Sequence, residues 1–67
     1  MIEIGDQVQN IESNWQGRVT AFEKIDDVIM LVCHHVCGGE IEKDDKQWFD
    51  PRDVRVLRKH DSTKQEN

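Results

Sequence analysis

The stretch Val28-Ile29-Met30-Leu31-Val32-Cys33-His34-His35-Val36 constrains this chain more than any other part of it. Its β-branched residues favour an extended strand, and it has no capped helical periodicity, so a helical bundle is not expected. A half-exposed strand alternates apolar with polar side chains, yet this one is apolar at both parities through Cys33, so both of its faces need cover. The pattern leaves open which face is interior and whether a neighbouring loop or a second subunit covers the other. We assign Ile29, Leu31, Cys33 and His35 to the outer side and expect the chain to self-associate there as a homo-oligomer.

Other strand-like segments flank it. Gly5-Asp6 is a turn signal before Gln7-Val8-Gln9, and Asn10 to Asn14 is polar enough for a first loop. Trp15-Gln16-Gly17 leads into a second strand, Arg18 to Glu23, which Asp26-Asp27 closes as a tight turn. After the central segment, Gly38-Gly39 ends the strand, and Glu40 to Asp45 reads as an acidic loop before a fourth strand, Lys46 to Phe49. Asp50-Pro51-Arg52-Asp53 fits one turn of 3₁₀-helix, with proline presetting φ at the first position. Val54 to Leu57 is a short fifth strand.

With 67 residues the chain has room for one core only. Five short strands with a single 3₁₀ turn before the last predict an all-β, five-stranded SH3-like barrel over residues 1–59. Closure would hide the edges that an open sheet, the alternative, leaves exposed. Residues 60–67 lack a large apolar side chain and are expected to be a disordered tail.

Net charge is −5, from 14 acidic and 9 basic residues, which argues against a binder of phosphate backbones. Late in the chain Arg52, Arg55, Arg58 and Lys59 cluster, but Asp50, Asp53 and Asp61 interrupt them, as on a mixed solvated surface. No stretch approaches the ~20 apolar residues of a membrane span, and the thiols read as reduced, so a cytoplasmic protein with no membrane partner is expected. On one strand Cys33 and Cys37 would have α-carbons about 13 Å apart, beyond the ~7 Å reach of a disulfide.

Gly5-Asp6-Gln7-Val8, Trp15-Gln16-Gly17-Arg18-Val19 and Lys46-Gln47-Trp48-Phe49 before a proline resemble the plasmid-borne type II dihydrofolate reductases, over most of residues 4–57. In that family four barrels surround one pore that takes folate and a nicotinamide cofactor, lined by a Val-Gln-Ile-Tyr stretch. The resemblance places Gln47 at the glutamine position, Trp48 at that of isoleucine and Phe49 at that of tyrosine. Phe49 lacks the tyrosine hydroxyl, Trp48 is much bulkier than isoleucine, and Asn10, Ile11 and Glu12 stand where the family has a loop lysine. A catalytic role is therefore not assigned, and no cofactor is expected.

Two further groups could carry chemistry. Cys33, His35 and Cys37 share one face of an extended strand and are ligand types that zinc accepts, but ligands about 6.6 Å apart per step do not converge on one ion, so the pattern assigns no metal. Trp15, Trp48 and Phe49 offer an aromatic patch for a protein or peptide partner, of the kind small barrels display beside their loops. Alternation puts Trp48 and Phe49 on opposite faces, one toward the core and one outward. The reading is a non-enzymatic, self-associating protein-interaction module. A pore enzyme and a weak nucleic-acid binder through Arg52, Arg55 and Arg58 are the alternatives.

Overall fold

The computed structural model describes residues 1–60. Five strands form one antiparallel sheet: β1 (Gln7–Asn10), β2 (Gln16–Ile25), β3 (Val28–Cys37), β4 (Glu40–Phe49) and β5 (Val54–Arg58), in the order β4-β3-β2-β1-β5. A single 3₁₀ turn, Pro51–Asp53, precedes β5, and the Asp50 side chain caps it by accepting from Arg52 N. The fold is the expected all-β one, with a difference in closure. β4 and β5 are the two ends of the sheet and do not pair, so the sheet curls without becoming a sealed barrel.

Two hairpins of similar design build the long β2-β3-β4 ribbon. Asp26 and Asp27 have φ of 52° and 67°, and Gly38 and Gly39 have φ of 61° and 85°. Positive φ at both central residues suits two-residue turns whose twist matches that of the flanking strands. The Gly38-Gly39 turn changes one expectation: Glu40 to Asp45 is not a loop but the first part of β4, with Glu42, Ile41 and Glu40 opposite His35, Val36 and Cys37. Lys43, Asp44 and Asp45 are extra residues there, because the register runs from His34↔Lys46 to His35↔Glu42. Charged side chains on an edge strand need no burial, so acidity did not prevent strand pairing.

Leu31, Val8, Val19, Cys33 and Val54 form the core, with Ile2, Trp15 and Phe49 packed against it. Leu31 and Cys33 are fully buried within the single chain, which corrects their assignment to an outer, subunit-contacting face. Register gives the reason: Cys33 pairs with Val19, and directly paired residues share a face. Val32 is on the opposite face and is also buried, at 7% exposure. Its cover comes from within the chain. Trp48 pairs with Val32 across β3-β4, and its indole Nε1 donates to Glu23 Oε1 on β2 at 2.7 Å, so the ring crosses over β3.

Two buried polar side chains anchor the connecting segments to this sheet. Asn10, buried at the end of β1, accepts from Ser13 N at 2.8 Å and donates to Asp53 O at 3.1 Å, fastening the first loop to the 3₁₀ turn. Asp6, fully buried, accepts from Glu3 N (2.8 Å), Lys59 Nζ (2.7 Å) and His60 N (2.6 Å). His60 is thus tied to the sheet and is not part of a loose tail. The remainder of the expected tail, 61–67, lies outside the described residues.

Candidate functional site

The outer face of the sheet sorts the positive charge. Lys46 pairs with His34, His34 with Arg18, Arg18 with Gln7, and Gln7 with Arg58. These pairings make a continuous row across all five strands, spanning about 19 Å at the usual ~4.8 Å strand spacing, with no carboxylate in it. Two residues along β1, Gln9 faces the same way and pairs with Arg55, whose guanidinium donates to Gln9 Oε1 at 3.1 and 3.2 Å.

The cations elsewhere are mostly spent. Lys24 pairs with Asp27, Arg52 with Asp50, and Lys59 with Asp6 and Glu3. Hydrogen bonds from Arg52, with its charge, hold the Asp50 carboxyl below its ordinary value. Lys46, Arg18, Arg55 and Arg58 join no salt bridge among the described residues. Arg18 Nε is buried and makes no hydrogen bond among them either. A buried donor without an acceptor is costly, so a ligand oxygen reaching this point would relieve it.

Trp48 borders the row. It is 43% exposed, with Lys46 Nζ 5.1 Å from its ring centroid and its indole N–H bound to Glu23. The cation over the ring and the fixed edge hold the indole in one orientation. His34 is held as well, with Nδ1 2.7 Å from Thr20 Oγ1. Thr20 is the extra residue where the β2-β3 register shifts, and its hydroxyl also donates to Val32 O at 3.3 Å.

The three aromatic residues expected to form one partner patch are divided. Trp15 and Phe49 pack together on the core side with ring centroids 5.4 Å apart, while Trp48 alone faces outward. Gly17 enables this arrangement, because a Cβ there would lie 2.3 Å from the Trp15 ring. Gln47 and Phe49 pair with Cys33 and Leu31 on one face and Trp48 with Val32 on the other, so the three pore-type positions do not line one surface of a subunit.

The Cys33, His35, Cys37 set does not assemble. Cys33 is buried among apolar side chains, which pushes its thiol up to about 11, and Cys37 is exposed at the far end of β3. Both thiols are free. No described helix is long and apolar enough to cross a membrane. No protein-family model, curated protein or solved structure matches this chain.

Reading the sequence alone missed Arg18, His34 and Lys46 as one group, and it grouped Arg52 and Lys59 with Arg55 and Arg58. Spacing in the chain was the wrong measure. The row takes one residue from each strand, and only register brings them together.

Proposed function

We propose that this chain is a non-enzymatic interaction module whose outer sheet face holds an acidic segment of a partner protein. The row Lys46-His34-Arg18-Gln7-Arg58 carries this reading, because it gathers on one face three cations that join no salt bridge among the described residues, in a chain whose net charge is −5. Carboxylates of an extended peptide could meet Lys46, Arg18 and Arg58 in turn, and Trp48 offers an apolar flank beside them. A long polyanion is disfavoured by the remaining negative charge of the molecule, and one outward aromatic does not supply the successive stacking platforms of single-strand binders.

The test is a titration of a Trp15→Phe chain with a short Glu/Asp-rich peptide, reading Trp48 fluorescence at two salt concentrations. Saturable binding is expected, weaker at high salt. Arg18→Glu should cost about 1.5 kcal/mol or more, at least roughly tenfold in affinity. Absence of peptide binding, or tighter binding of a single-stranded oligonucleotide, would sink the reading.

A separate observation supports self-association. At the free end of the β2-β3 hairpin Phe22, Ile25, Val28 and Ile29 are 44%, 40%, 42% and 50% exposed, and they occupy both faces of the ribbon. A second copy is the simplest cover for this apolar arm. Light scattering at micromolar concentration is expected to give a multiple of the chain mass that Ile29→Glu lowers to one chain. A parent protein of single-chain mass would remove self-association and leave the acidic-peptide reading intact.

A further inference from the structure

We propose that His35, Glu42 and Asp45 form a binding site for a divalent transition metal of the zinc type. Among the described residues they are the one group of His, Cys, Asp and Glu side chains in which three donor atoms from different residues lie within 4.8 Å of one another. His35 Nδ1 is 2.8 Å from Glu42 Oε1 and 3.9 Å from Asp45 Oδ2. Around a tetrahedral ion with bonds of about 2.0–2.2 Å, donors stand roughly 3.3–3.5 Å apart. One contact therefore opens by about half an ångström and the other closes by as much, both within reach of side-chain rotation.

Backbone irregularity produces the convergence. Glu42 is directly opposite His35, and the extra residues Lys43 to Asp45 bring the chain back so that a second carboxylate approaches the same imidazole nitrogen. A regular β4 would set only one of the two opposite His35: Asp45 in the register of His34↔Lys46, or Glu42 in that of Cys37↔Glu40. The Trp15 ring is also a neighbour of the imidazole, with its centroid 6.4 Å from that of His35.

One imidazole and two carboxylates select the ion. Calcium takes six to eight oxygen ligands and magnesium prefers carboxylate and water oxygens to imidazole, whereas a nitrogen with two carboxylates and an open fourth position suits zinc and its neighbours. Metal would take the Nδ1 lone pair, so the ring would keep its proton on Nε2. The site is distinct from the outer row: His35 occupies the face opposite His34, and neither Lys46 nor Arg18 contributes a donor.

Calorimetric titration of the full chain with zinc chloride, alongside visible spectra with Co²⁺, tests the site. One equivalent of Zn²⁺ and a tetrahedral Co²⁺ absorption are expected. His35→Gln and Asp45→Asn should each weaken uptake at least tenfold, with far-UV circular dichroism unchanged. His34→Gln and Cys37→Ser should bind as the parent does. Failure of the parent to take up either ion, or a loss of binding in Cys37→Ser, overturns the proposal. So does undiminished binding in well-folded His35→Gln.

Discussion

Leu31→Glu is expected to leave the chain without a cooperative unfolding transition, whereas Ile29→Glu, two residues away on the same face of β3, keeps one, lowered only by what self-association adds. Leu31 is fully buried and contributes to a small core with Val8, Val19, Cys33 and Val54. Truncating such a leucine costs about 2–5 kcal/mol, and an unpaired carboxylate in its place adds to that. A single core of this size supplies only about 3–5 kcal/mol in all. Ile29 is half exposed in the single chain near the hairpin end, so within one chain the same charge stays in water there. Thermal and urea melts followed by far-UV circular dichroism distinguish the pair. A sigmoidal transition in Leu31→Glu would mean that the interior is elsewhere.

The second large effect is expected at Asp6. Asp6→Ala removes the acceptor for Glu3 N and His60 N and the partner of Lys59, and is expected to cost about 2–3 kcal/mol by breaking three part-buried hydrogen bonds to a charged acceptor. The same carboxylate gives a pH signature. Burial alone would raise its pKa, but the bonds from His60 N, Lys59 and Glu3 N with the Lys59 charge together outweigh burial and hold it below the ordinary 3.8. Between the folded value and 3.8 the unfolded chain binds more protons, so stability rises with pH in that window. It is fully present above the ordinary carboxylate range and is lost as pH falls through the folded value. Asp6→Asn should flatten that acid slope. Urea midpoints measured from pH 2 to pH 6 check this, and an unchanged slope in Asp6→Asn would show that other carboxylates carry it.

The strands were legible in the sequence because their signals are local. β-branched runs, paired Asp or Gly turns and the Asp-Pro step each act within a few residues, and the structure has all of them. What depended on partners was not legible. Leu31 and Val32 look alike in composition, and only pairing with Phe49 and Trp48 shows which faces the core. Glu40 to Asp45 looked like a loop because its charges suit solvent, a condition that an edge strand also meets. The side chains that the fold brings beside His35 are carboxylates from β4, whereas spacing along the chain groups it with the cysteines of its own strand. Arg18, His34 and Lys46 are far apart in the chain, and no spacing rule joins them.

Among the described residues, both strands without an outer neighbour carry insertions in their pairing, as β2 does at Thr20: Lys43 to Asp45 in β4 and Leu57 in β5, where the register runs from Gln7↔Arg58 to Val8↔Val56. A regular free edge is a template on which further chains can stack without limit, as in amyloid. Here neither border offers an uninterrupted ladder of backbone donors and acceptors. The apolar end of the β2-β3 hairpin is thus a more regular surface for a second copy than either border of the sheet, where the insertions break the ladder.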